Sequence, residues 1–204
     1  MKKFLRIAAA VLILVLVLPM ASCSSKAPEL DSVKERLVYL IEESKELNVL
    51  LFGDGLPVYH REEALADRKM VYYNNNVSGY ERVMENTTFL SIEKMKEAAS
   101  AVYSSEYLSA IYESAFEGVM TGSSSAYVRF YDNGEWLYQN LNKTEFSLNE
   151  RIYDYSTMKI IDPSTADYIN VSVESYSMSD GARQTVYLSF IYENNNWYLD
   201  SPSY

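Results

Sequence analysis

The hydrophobic period of this chain changes once, and the change sets the fold class. From Leu30 to Phe52 and again from Ser91 to Gly122 apolar residues recur at three- and four-residue steps, the spacing of one helical face. From Ser125 onward they recur at every second position, the spacing of one face of a strand. Helices first and strands second, with no βαβ alternation, predict an α+β fold. The N-terminal helices pack on one face of a curved antiparallel sheet, and residues 30–204 form a single domain.

The helical part reads in three stretches. Leu30, Val33, Leu37, Leu40, Ile41, Ser44, Leu47 and Leu51 share one face, so a helix runs to about Phe52 and stops at Gly53. Ser32-Val33-Lys34-Glu35 has capping-box form and is expected at its start. Ser91 opens a second helix, with Ile92, Met95, Ala99 and Val102 on one face. Ser104-Ser105 caps a third, with Leu108, Ile111, Tyr112, Ala115, Phe116 and Val119 in step; Gly118 and Gly122 weaken and end it. A short strand is expected between Met70 and Tyr73.

The strand part begins with a hairpin, Tyr127 to Tyr131 and Trp136 to Gln139, around Asp132-Asn133-Gly134. Ile152 to Tyr155 and Met158 to Ile161 extend the sheet up to Pro163. Tyr168 to Tyr176 alternates, with Ile169, Val171 and Val173 on one side. Gln184 to Tyr192 alternates again, with Val186, Leu188, Phe190 and Tyr192 facing one way. Asn194-Asn195-Asn196 turns the chain into a last strand, Trp197 to Asp200.

The N-terminus has the order of an export signal. Lys2, Lys3 and Arg6 precede an unbroken apolar run from Ile7 to Leu18, and Pro19 and the small residues Ala21 and Ser22 follow. That run is shorter than the roughly 20 residues a spanning helix needs. Met20-Ala21-Ser22-Cys23 resembles a bacterial lipobox, with Met20 where leucine is commonest. The resemblance implies removal of residues 1–22 and lipid attached to the Cys23 thiol. Residues 23–29 then tether the domain to the extracytoplasmic side of the cell membrane. Cys23 is the only cysteine in the chain, so its use for lipid leaves no thiol for a disulfide, a nucleophile or a metal.

Charge narrows the partners. The leader takes three of the 18 basic residues and none of the 28 acidic ones, leaving 15 against 28 and a net charge of −13. Such a surface repels nucleic acid and anionic headgroups, so no nucleic-acid partner is expected.

The final stretch carries a second resemblance. Tyr187-Leu188-Ser189-Phe190-Ile191-Tyr192, then Glu193-Asn194-Asn195-Asn196-Trp197-Tyr198-Leu199-Asp200-Ser201-Pro202, resembles the last hairpin of cystatin-like roll domains, the nuclear transport factor 2-like superfamily. The turn after the first helix, Leu51-Phe52-Gly53-Asp54-Gly55-Leu56-Pro57, looks like that of exported lipoproteins of anaerobic Gram-positive bacteria. Among characterised relatives, the layout is distantly similar to the DL-endopeptidase inhibitor family, which regulates cell-wall hydrolases. No inhibitory residue of that family matches a position here, and none is carried over.

Motifs for chemistry are sparse. His60-Arg61-Glu62-Glu63-Ala64 lacks the second histidine of a zinc protease motif, and no metal or cofactor is expected. Gly53-Asp54-Gly55 lacks the Gly-Lys-Ser/Thr ending of a phosphate loop and is expected to reverse the chain. Ser91-Ile92-Glu93-Lys94 has the Ser-x-x-Lys form, but Ser91 serves as a helix cap. Asp54, Tyr59 and His60 are the candidate interaction loop, on the rim of a cleft. No catalytic residue is assigned. The expected function is a membrane-anchored, non-catalytic domain that binds a protein or a peptidoglycan-related wall component and restrains a wall hydrolase. The alternatives are a small-molecule carrier or sensor using the cone of the roll, and an isomerase-like enzyme with an Asp base and a Tyr donor in that cone.

Overall fold

The computed structural model describes residues 26–59, 79–117, 128–141, 148 and 150–204. Cys23, His60, Gly118, Gly122 and the expected strand from Met70 to Tyr73 lie outside the described residues. Among the described residues the fold is mixed α+β, with three helices and two antiparallel sheets.

Helix α1 spans Leu30–Phe52 and buries one stripe: Leu37, Leu40, Ile41, Ser44, Leu47, Asn48, Leu50 and Leu51. Its start differs from the expected capping box. The N-cap is Glu29, and the Ser32 hydroxyl donates back to the Glu29 carbonyl at 2.6 Å. Packing moves the boundary, because Ala27 and Leu30 already lean on the core and draw the first turn forward. Helix α2 spans Ile92–Val102, and the Ser91 hydroxyl accepts from the Lys94 N–H. Helix α3 spans Ser105–Tyr112, with Ser104 accepting from the Tyr107 N–H, and runs into a π-helical turn, Glu113–Glu117. Among the described residues no helix is long and apolar enough to cross a membrane.

The strands form two sheets, where the sequence suggests one curved sheet. Strands β1 (Tyr80–Arg82), β2 (Phe130–Asp132) and β3 (Leu137–Asn140) pair in the order β1-β3-β2. Strands β4 (Arg151–Ile161), β5 (Tyr168–Ser177), β6 (Arg183–Glu193) and β7 (Asn196–Leu199) pair in sequence order. The hairpin cannot continue into β4 because β1 takes the second edge of β3, with Tyr80 opposite Asn140 and Arg82 opposite Tyr138.

Strand β4 is one strand with a bulge, not two strands. Its register against β5 breaks between Asp154 and Lys159. The Asp154 carboxylate accepts from the backbone N–H and hydroxyl of Ser156, and the Thr157 hydroxyl donates to the Asp154 carbonyl. These bonds satisfy groups that the ladder loses at a bulge. Strands β5 and β6 pair without a break from Tyr168 opposite Ile191 to Tyr176 opposite Arg183. Ile169, Val171, Val173, Leu188 and Phe190 fill the inner face. Tyr192, expected beside them, is 42 % exposed and leans on Trp197 at 5.3 Å. Asn194 and Asn195 take positive φ in the β6–β7 turn, a conformation asparagine tolerates better than most residues.

Helix α1 crosses β7 and α2. The Arg36 guanidinium donates to the Trp197 carbonyl from Nε and Nη2, at 3.2 and 3.1 Å, and to the Ala101 carbonyl at 3.3 Å. Tyr103 bridges to Leu199, and the Ser104 N–H donates to the Leu199 carbonyl at 2.9 Å. Arg36 and Ser104 thus cover the β7 edge of the four-stranded sheet, which would otherwise present unpaired carbonyls. Leu37, Leu40 and Ile41 are wholly buried, and truncating any one to alanine costs about 2–5 kcal/mol.

Candidate functional site

Two regions qualify as sites, and the expected interaction loop touches one of them. The turn Gly53 to Pro57 is held from below by Gln139 of β3, which is buried. Its side-chain oxygen accepts from the Leu56 N–H at 2.7 Å, and its side-chain nitrogen donates to the Asp54 carbonyl at 2.8 Å. Asp54 therefore serves the turn through its backbone while its side chain is exposed. Tyr59 donates its N–H to the Arg82 carbonyl at 2.8 Å and its hydroxyl to the Glu85 carboxylate. Arg82, only 6 % exposed, pairs with Glu85 and lies with its guanidinium carbon 3.2 Å from the Trp136 ring centre. Tyr59, Arg82, Glu85 and Trp136 thus fasten the chain after the turn to the three-stranded sheet. A cation over an indole face is attractive as well as well packed.

The second region is a groove of about 400 Å³ between the C-terminal half of α1 and the start of β4. Its lining includes Lys45, Asn48 and Val49 from α1, Glu150, Arg151 and Ile152 at the start of β4, Met178 after β5, and the C-terminal Ser203 and Tyr204. The size lies in the range of small-ligand sites. The walls are apolar, and Ile152 and Met178 are 55 % and 59 % exposed, unusual for such side chains.

The floor is a closed hydrogen-bond network. Asn48 donates from Nδ2 to the Ser203 hydroxyl at 2.8 Å, and the Ser44 and Ser203 hydroxyls lie 2.6 Å apart. Ser44 also donates to the Ile41 carbonyl at 2.7 Å, which leaves Ser203 as the donor between the two hydroxyls. Tyr103 donates to Asn48 Oδ1 at 2.8 Å, and Tyr153 donates to the Ser203 carbonyl at 2.7 Å. Buried polar groups are tolerable only when satisfied, and these satisfy one another.

Burial dominates the titration of these groups. It pushes the Tyr153 hydroxyl up to about 12 and raises Tyr103, Tyr107 and Tyr155 further. All four stay protonated at neutral pH and act as donors. Glu42, beside the groove, feels burial as a raising effect, but hydrogen bonds from Lys45 and Tyr155 and the Lys45 charge outweigh it and hold the carboxyl below its ordinary value. Lys45 contacts Glu42 at 2.7 Å and sits 5.7 Å from the Tyr153 ring centre. Arg151 donates to the Ser175 hydroxyl at 3.3 Å, and with the Gln184 amide turned to accept, both terminal nitrogens of Arg151 reach its oxygen. The groove thus offers apolar walls, two cations and two carboxylates, Glu46 and Glu150. Among the described residues no group of three or more His, Cys, Asp or Glu is placed to hold a metal ion.

Sequence reasoning picks out none of the groove residues. One signal is present: Ser44 stands inside the apolar stripe of α1, where a polar residue must find a buried partner. Compared with known protein families and with curated proteins, the chain matches none of them.

Proposed function

We propose that this chain is a lipid-anchored extracytoplasmic binding protein. In this reading residues 1–22 are removed, Cys23 carries lipid, and a cystatin-like roll presents the groove to a protein or cell-wall component, restraining a wall hydrolase. One observation carries it. Cys23 precedes Lys26, the first described residue, by three positions, and α1 then runs from Leu30 to Phe52. At about 1.5 Å per residue, Lys45 to Val49 lie roughly 22–28 Å along the helix from its membrane-proximal end. That is several times the roughly 8 Å over which a charged lipid surface is felt at physiological salt. With α1 leading away from the anchor, the groove stands clear of the lipid surface.

The test is fractionation of cells making the wild-type chain or Cys23→Ala. Wild type is expected in the membrane fraction and the variant outside it; retention of the variant on the membrane would sink the anchor. The mature lipoprotein in detergent, added to isolated walls with a wall hydrolase, is expected to bind and to slow lysis. An unchanged lysis rate removes the restraining role.

A further inference from the structure

We propose that the groove binds an extended peptide, which adds as a strand to the edge of β4 at Arg151. This rests on the reading of the groove as a binding site and names the ligand class for it.

The first observation is topological. The four-stranded sheet has two edges. Arg36 and Ser104 cover the one at β7. Strand β4 has only β5 as a neighbour among the described residues. The groove reaches the start of this strand, where Glu150, Arg151 and Ile152 line it from both faces. Ile152 stands opposite Tyr176 and is exposed, whereas Tyr153 stands opposite Ser175 and is buried. Side chains alternate along a strand, so Arg151 shares the inner face with Tyr153, and Glu150 shares the outer face with Ile152. The cavity therefore meets both faces at the start of β4, where no other described strand pairs with the outer edge.

The second observation fixes which backbone groups the edge offers. The Glu150 carbonyl points at β5, where it accepts from the Met178 N–H at 2.7 Å. In a planar trans peptide the next N–H points the opposite way. The Arg151 N–H therefore points out from the sheet, and in an extended strand its carbonyl does too. An antiparallel partner residue across from Arg151 exchanges both bonds with it.

The third observation is charge. Along β4 the order is acid, base, apolar at Glu150, Arg151 and Ile152. An antiparallel partner complements it with apolar, acid, base, since opposite charges facing across strands attract. Such a ligand carries no net charge and is not repelled by a mature chain of net charge −13. The break in register after Asp154 limits the matched stretch to the first residues of β4.

The probe is a blocked tetrapeptide, Val-Val-Glu-Lys, which sets valine across from Tyr153 and Ile152, glutamate across from Arg151 and lysine across from Glu150. It is titrated into the mature protein while backbone amide exchange is followed. Slower exchange at Arg151 is expected. The charge-swapped peptide Val-Val-Lys-Glu is expected to bind about fivefold more weakly, and Glu150→Lys with Arg151→Glu is expected to reverse that preference. N-methylation of the peptide glutamate is expected to abolish binding, whereas N-methylation of the valine beside it, whose N–H points away from β4, leaves binding in place. Equal binding of the two N-methyl peptides, or no slowing at Arg151 at millimolar peptide, overturns strand addition. If the peptide fails while the mature lipoprotein still binds walls and slows lysis, only strand addition falls; if both fail, the binding reading falls with it.

Discussion

The side chain of Gln139 fills the space that a side chain at Gly55 would need. A Cβ built on Gly55 falls 2.2 Å from Gln139 Oε1 and 2.5 Å from its Cδ. Gly55 also has φ of +80°, in the region L-residues avoid. Gly55→Ala is expected to lose about 2–4 kcal/mol, combining backbone strain with loss of at least one Gln139 bond. Urea unfolding measures this, and a variant within about 0.5 kcal/mol of wild type would refute the account, that margin being the size of a neutral surface change.

Helix α1 ends without a basic residue of its own and borrows one. Arg129 donates from Nε to the Leu50 carbonyl at 2.9 Å and from Nη2 to the Gly53 carbonyl, neutralising the negative end of the helix. Arg129→Met keeps much of the bulk and removes these donors, so a loss of about 2–3 kcal/mol is expected. Amide exchange near the end of α1 should quicken in the same variant. A stable variant with unchanged exchange would show that water caps the helix equally well.

Ser203 links helix and sheet through one hydroxyl and one carbonyl. Ser203→Ala leaves the Asn48 amide without its acceptor and is expected to cost about 1–3 kcal/mol. Tyr153→Phe removes the donor to the Ser203 carbonyl and is expected to cost about 1 kcal/mol. The two changes share a network, so the double variant should depart from additivity by at least about 0.5 kcal/mol. Simple addition would mean the bonds act independently.

Alkali should unfold the domain. The folded state raises Tyr153 to about 12, mainly by burial, and raises Tyr103, Tyr107 and Tyr155 beyond that. A raised folded value means that the folded state holds the proton more tightly than the unfolded chain. The stability is whole below about pH 10, where unfolded tyrosine titrates, and is lost as pH climbs toward 12 and above. Tyrosinate absorbance should therefore rise in two steps: exposed rings first, reversibly, then the buried ones together with loss of the far-ultraviolet signal. One smooth rise with the fold intact would contradict the burial seen here.

Legibility follows the distance between partners. The stripe of α1 is readable because Leu37, Leu40, Ile41, Leu47 and Leu51 obey one period. The caps at Ser91 and Ser104 are readable because cap and capped N–H are three residues apart. Strands β5 and β6 alternate and pair as their periods suggest. Strand β1 is not readable, since three residues carry no period and their conformation comes from pairing with β3. The bulge in β4 looks like a break in sequence, because Ser156 and Thr157 are turn formers and the bond that ties Thr157 to the next strand comes from the Glu174 N–H. Gln139 and Arg129 act on a turn and a helix end 76–85 residues away, where no local pattern points to them. The groove draws on α1, β4, the end of β5 and the last two residues, so no contiguous motif could announce it.

The clasp between Ser203 and α1 also governs how the chain is made. Ser44, Asn48 and Arg36 bond partners 155–161 residues further along. On the ribosome α1 is complete long before those partners exist, and until then, among the described residues, only α2, Tyr103 and the three-stranded sheet are there to receive it. Contacts this remote also slow closure once they are available. The docking of α1 on the four-stranded sheet is therefore finished only after the last strand emerges.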